Sequence, residues 1–134
     1  MIVRRTQKIT IIRMSKPERN LNQELQWLGT SLGLFNLRDK DKSCFRIFVE
    51  LVKATKQKKA ISSDELAFTL GLSRGTVVHH LNKLMQAGIV ISDGYRYTLR
   101  MDNLQLLIEE LKRDVERSIE DLRDVARDID NSLG

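Results

Sequence analysis

Apolar residues along this chain change their spacing several times, and each change marks an element. Leu21, Leu25, Leu28, Leu32 and Phe35 fall in a 4-3-4-3 spacing that lines one face of a helix. Ser15, Pro17 and Glu18 precede them as a capping box with proline in the first turn. An N-terminal helical segment is therefore expected over 15–36, its helix ending near Gly33. The polar run "NLRDKDKS" reads as a turn. A second helix follows, with Phe45, Phe48, Val49 and Val52 inward and Arg46, Glu50 and Lys53 outward. Ser62 with Glu65 caps a third helix that buries Leu66, Ala67 and Leu70, and Gly71 closes it in a left-handed C-cap. Ser73 caps a fourth helix with Val77, Leu81 and Leu84 turned inward.

The period then becomes two. Ile89–Ile91 and Tyr95–Leu99 flank Asp93-Gly94, a dipeptide that predicts a hairpin with a type I′ turn. Val90, Tyr95, Tyr97 and Leu99 supply its packing, while Arg96 and Arg100 share the opposite face. From Asp102 the spacing is helical again over about 30 residues, roughly 45 Å. Ile108, Val115, Leu122 and Ile129 recur every seven residues. Leu104, Leu111 and Val125 take the companion position, which Ser118 and Ser132 interrupt, and Ile119, Ala126 and Leu133 widen the stripe. A helix of that length outreaches a module of under 70 residues, so its stripe calls for a second copy of the chain. The expected dimer interface is Leu21, Leu25, Leu28 and Leu32 with Leu104, Ile108, Leu111, Val115, Leu122, Val125 and Ile129. Asp114, Asp121 and Asp128 are placed to pair across it with Lys112, Arg113, Arg117, Arg123 and Arg127.

The fourth helix carries the chemistry. Opposite its apolar side it holds Ser73, Arg74, Thr76, Val78, His79, Asn82 and Lys83. A helix fits the DNA major groove, where Arg binds guanine and Asn binds adenine through paired hydrogen bonds, and an apolar side chain meets a thymine methyl. Gly75 costs helix stability, about 1 kcal/mol against Ala, and leaves room for close approach to a duplex. Ser62, at the head of the preceding helix, and Arg96, two residues past the hairpin tip, complete the candidate contact set.

The segment "SSDELAFTLGLSRGTVVHHLNKLMQAGIVISDGYRYTLR", residues 62–100, resembles the winged helix-turn-helix of prokaryotic transcription regulators, the ArsR-like and MarR-like groups above all. The resemblance covers under a third of the chain. It implies a mainly α fold with a small β-hairpin wing (α+β), the winged helix-turn-helix flanked by N-terminal and long C-terminal dimerisation helices. The parts would be a basic arm or edge strand at 1–14, the N-terminal helix at 15–36, the DNA-binding domain at 37–100 and the dimerisation helix at 101–134. Metal-sensing relatives in the ArsR group carry Cys or His/Asp/Glu clusters, and no such cluster is found here. His79 and His80 are adjacent, about 100° apart on a helix, and cannot chelate as an i, i+4 pair does. The family pattern puts His80 on the partly buried flank beside Leu81, bonding a backbone carbonyl, and leaves His79 facing out.

Charge adds a division. The chain of 134 residues, one domain's worth, has a net charge of +5. Residues 101–134 hold ten acids and five bases, whereas residues 1–100 hold 18 bases and eight acids. A basic body with an acidic tail points to a polyanion as partner of the body alone. With Cys44 as the single cysteine no intrachain disulfide or cysteine metal site forms, and the thiol reads as a small buried hydrophobe. No leader-like or membrane-spanning run appears, so a cytoplasmic protein is expected. No catalytic set, metal site or cofactor is expected, and no effector can be named. The expected partners are double-stranded DNA and a second copy, not a membrane. A winged-helix protein-interaction or architectural module is the competing reading; outward Arg74, Asn82 and Lys83, with no acid among them, favour DNA. In the arm, Ile9, Ile11 and Met14 suit an edge strand, and Arg4, Arg5 and Lys8 suit contact with the duplex.

Overall fold

The computed structural model describes residues 6–35, 39 and 41–134. Arg4 and Arg5 of the basic arm, and residues 36–38 and 40 of the expected turn, lie outside the described residues. Five helices and three strands follow in order: α1 (Leu21–Ser31), α2 (Ser43–Lys56), β1 (Ile61–Ser62), α3 (Ser63–Leu70), α4 (Arg74–Gln86), β2 (Val90–Asp93), β3 (Arg96–Leu99) and α5 (Leu104–Leu133). The fold is mainly helical with a small antiparallel sheet, the architecture of a winged helix-turn-helix with a long C-terminal helix.

The core forms where α2, α3, α4, the sheet and the first half of α5 meet. Ile47, Phe48 and Leu51 of α2 face Leu66 of α3 and Val77, Leu81 and Leu84 of α4, with Ile89, Val90, Leu99, Leu107 and Leu111 closing it. Burying each of these side chains stabilises the fold by about 2 kcal/mol. Val49 and Val52, expected at the centre of α2's inner face, stand at the core's margin instead. Gly29 of α1 is buried against a ring of α2: a Cβ there would lie 2.6 Å from Phe45 Cδ1. The missing side chain is what lets α1 lie this close.

Helix α1 does not start at Ser15. Asn20 is its N-cap, with extended backbone (φ −139°, ψ 128°) and a side-chain oxygen that accepts from Gln23 N at 3.2 Å. The Ser15 carbonyl instead accepts the Trp27 indole N–H at 2.7 Å, which holds the preceding segment across the helix rather than in line with it. Residues 6–18 have no regular secondary structure. They form a strap, with Lys8 N donating to Gln86 O at 3.1 Å and Ile12 N to Ser31 O at 2.7 Å. The described part of the arm is therefore not an edge strand, because the sheet's strands lie elsewhere in the chain.

The hairpin is offset by one residue from its expected place. Asp93 pairs with Arg96, so the two-residue loop is Gly94-Tyr95 and not Asp93-Gly94. Within it only Gly94 has a positive φ (65°), as a two-residue loop with glycine first requires, in place of the type I′ turn expected from Asp-Gly. The sheet also gains a third strand, β1, which pairs antiparallel with β3 through Ile61↔Tyr97 and Ser62↔Arg96 and makes β3 central. The Thr55 hydroxyl of α2 accepts from Leu99 N at 3.2 Å and fastens the wing to the core.

Helix α5 spans 30 residues, capped by Asn103, whose side chain accepts from Leu106 N at 2.9 Å. Its two halves differ. Leu107, Leu111 and Asp114 are buried and Leu104 packs at the core's edge, whereas every residue from Glu116 to Gly134 is exposed. Leu104 and Leu111, expected in a dimer interface, are thus covered by their own chain, because the first turns of α5 close the module. In α1, Leu25, Leu28 and Leu32 pack against the core and Leu21 is 75% exposed.

Candidate nucleic-acid interface

Two caps and a glycine make the turn between α3 and α4. The Ser62 hydroxyl accepts from Glu65 N at 3.1 Å. Gly71 ends α3 with a φ of 66°, a backbone that a residue with a Cβ adopts only at a cost. The Ser73 hydroxyl accepts from Thr76 N at 3.1 Å and so starts α4. Arg46, read as outward from its position in α2, folds over to donate to Leu70 O at 2.7 Å. It satisfies one of the last carbonyls of α3, which lack partners inside the helix.

On α4 the expected division of faces is present. Val77, Leu81 and Leu84 are buried, while Ser73, Arg74, Gly75, His79, Asn82 and Lys83 are exposed and Thr76 and Val78 are half-buried. Nothing lies within 4 Å of where a Gly75 Cβ would stand, so the backbone there is open to solvent. Ser62 is set apart from this face: it is buried and its hydroxyl is occupied as a cap, so it is not available as a contact residue.

Acids missing from the outward side of α4 are supplied by α3. Arg74 Nε lies 3.5 Å from Asp64 Oδ1, and Arg96 Nη1 lies 3.4 Å from Glu65 Oε1 while donating to the Ala60 carbonyl at 3.1 Å. These pairs are solvent-exposed and contribute little, about 0–1 kcal/mol, so a phosphate can displace them. The sequence reading missed them because it followed α4 alone. Tyr95 was expected to pack; it stands 71% exposed at the wing tip, where the Arg96 guanidinium lies 5.3 Å from its ring centre.

His80 faces inward, as expected of a structural residue, but its partner is a carboxylate rather than a carbonyl. Nε2 lies 3.9 Å from Asp39 Oδ2, and Nδ1 finds no partner among the described residues. Burial lowers its pKa below the ordinary histidine value, with Asp39 opposing that shift in part. Burial would by itself raise the Asp39 pKa. Hydrogen bonds from Ser43 N (3.0 Å) and Cys44 N (3.1 Å) outweigh it and hold the carboxyl below its usual range. Asp39 therefore caps α2 and faces the middle of α4 at once. Burial pushes the Cys44 thiol up to about 11, which leaves it protonated and unreactive near neutral pH.

A second polar junction ties the wing to α5. Arg100, at the end of β3, bonds both carboxylate oxygens of Asp114 and lies 3.5 Å from Glu110 Oε2. The Gln7 side chain of the strap donates to Asp114 Oδ2 at 2.8 Å and to Ala87 O, just past α4, at 3.2 Å. The Arg100 guanidinium holds the Asp114 carboxyl below the usual carboxylate range. Asp114 is thus an intrachain partner and not one of an interchain set. Residues 7, 100 and 114 lie far apart in sequence, and only the fold brings them together.

Residues 49–92 match the family model of the bacterial regulatory proteins of the arsR family. The matched third of the chain runs from α2 through α3 and α4 into β2. This chain carries an ArsR-type winged helix-turn-helix. By that domain it is a DNA-binding regulator of transcription. No curated protein and no solved structure matches the chain. Among the described residues, no group of His, Cys, Asp and Glu is arranged to hold a metal ion, and no helix is long and apolar enough to cross a membrane.

Proposed function

We propose that the protein binds a pseudo-palindromic DNA site as a homodimer, with α4 of each copy in the major groove and each wing on the flanking groove or backbone. One observation carries the reading: Arg74, His79, Asn82 and Lys83 stand exposed on one side of α4, whose other side is buried. On this reading Arg74 and Asn82 read guanine and adenine edges, and Val78 meets a thymine methyl. Ser73, Thr76, His79, Lys83 and Arg96 hold phosphates, and the first N–H groups of α4 add a favourable dipole. Gly75 admits the backbone close to the duplex. The winged helix-turn-helix of 37–100 is the reading part, and the acidic helix within 101–134 pairs the copies while staying off the DNA.

The exposed stripe beyond Val115 supports a second copy, since an apolar helix face of this length is rarely left in water. Two copies related by a two-fold axis place their recognition helices about one turn of duplex apart, ~34 Å. Phe68, on the outer side of α3, is 90% exposed and favours a second reading, a winged-helix module that docks a protein. Selection from random duplexes at two salt concentrations separates these. An inverted repeat with half-sites roughly 10 bp apart supports the dimeric regulator. Steep salt dependence without an enriched site indicates backbone binding alone. Failure to retain any duplex at low salt leaves protein docking.

A further inference from the structure

The proposed dimer leaves open which surfaces of the two copies meet, and two features that answer this lie on one face of the molecule. The first is an apolar groove of about 450 Å³ between the strap, α1 and the first half of α5, lined by Ile9, Ile11, Trp27, Leu28, Ile108 and Val115 among others. The second is the far half of α5, where Ile119, Leu122, Val125, Ile129 and Leu133 are exposed and nothing in the same chain covers them.

The apolar pattern of α5 is symmetric about a point between Ser118 and Ile119. Reflection about that point exchanges Leu104 with Leu133, Ile108 with Ile129, Leu111 with Ala126 and Val115 with Leu122. An antiparallel pair of such helices therefore sets apolar against apolar along its whole length. A parallel pair instead sets the exposed far halves against each other and leaves both grooves empty. Ser118, small and central, suits the close crossing of two helices. The smallest apolar member, Ala126, falls opposite Leu111, whose side chain is already committed to the core of its own chain.

Charge agrees with this order. From 118 to 133 the helix carries five acids (Glu120, Asp121, Asp124, Asp128, Asp130) and two bases, while the strap beside the groove carries Lys8, Arg13 and Lys16 and no acid from 6 to 17. Glu116, on the groove's rim, also comes level with the Arg123 side of the opposite copy. From Ile119 to Leu133 the helix extends about 21 Å, a run comparable with the stretch of α5 from Leu104 to Val115 that meets it.

We infer that the two copies exchange their α5 ends, each far half lying antiparallel in the other copy's groove between strap, α1 and α5. This rests on the homodimer reading and specifies it. Cysteine cross-linking in the full-length protein tests it, since buried Cys44 takes no part. Val115→Cys and Leu122→Cys are made singly and together, and sedimentation equilibrium measures the oligomer in parallel. Residues 115 and 122 are two helical turns apart and cannot bridge within one chain. The expected result is a dimer that forms a disulfide when both cysteines are present and none when either stands alone. Cross-linking of each single variant with itself shows a parallel pair and overturns the inference. A dimer that gives no cross-link in any variant also overturns it, while leaving the homodimer in place. A monomer at every concentration overturns both.

Discussion

At the scale of single residues, two kinds of ion pair have different consequences. Arg74–Asp64 and Arg96–Glu65 are exposed, so their acids act mainly as competitors for the cations that α4 and the wing offer to phosphate. Asp64→Asn with Glu65→Gln is expected to tighten binding to any duplex several-fold, measured by fluorescence anisotropy at fixed salt, with fold stability nearly unchanged. Unaltered or weaker binding would show that these cations do not face the DNA. Asp114 is the opposite case, buried and bonded to Arg100 and Gln7. Asp114→Asn is expected to cost about 2 kcal/mol in urea unfolding at neutral pH, because Arg100 loses its charged partner. The sign with pH follows from the lowered carboxyl pKa. The stability it adds is complete above the unfolded value of about 4 and is lost as pH falls through the lower folded value. Wild type should therefore lose more stability than Asp114→Asn on acidification below about pH 4. The caps Ser62 and Ser73 and the inward histidine were legible in the sequence, because each depends on neighbours a few residues away. The partners of Asp114, Arg96 and His80 were not, since they depend on how separate elements pack.

At the scale of elements, periodicity located four helices and the hairpin, because the core side of each sets its spacing. It misplaced what depends on a single local choice. Asn20 rather than Ser15 starts α1, and Gly94 rather than Asp93 takes the first place in the hairpin loop. Strand β1, two residues long, is too short to show alternation and forms only because β3 offers it a free edge. Gly29 read as a weakness in α1, although it is the place where α1 meets the Phe45 ring. Gly29→Ala would raise intrinsic helix propensity, yet it is expected to lower stability by about 1–3 kcal/mol through overpacking against Phe45. Thermal unfolding decides between these effects: a raised midpoint would show that α1 can move off α2 without penalty.

At the scale of the molecule, the basic body and acidic helix separate the surface offered to DNA from the surface offered to a second copy. The strap, the wing base and α5 meet at Asp114, so the orientation of the helix-turn-helix relative to the long helix is fixed by polar bonds as well as by packing. That rigidity matters to a dimeric reader, because the spacing of its two recognition helices must match the helical repeat of DNA. Base reading by α4 is the central claim, and Asn82→Ala tests it most directly. Its affinity should be measured on the selected site and on a scrambled duplex of the same composition. Loss of a base contact should weaken the selected site by about 1–3 kcal/mol and leave the scrambled duplex unaffected. An equal loss on both, or none on either, would contradict base reading by Asn82 and return α4 to the role of a phosphate clamp.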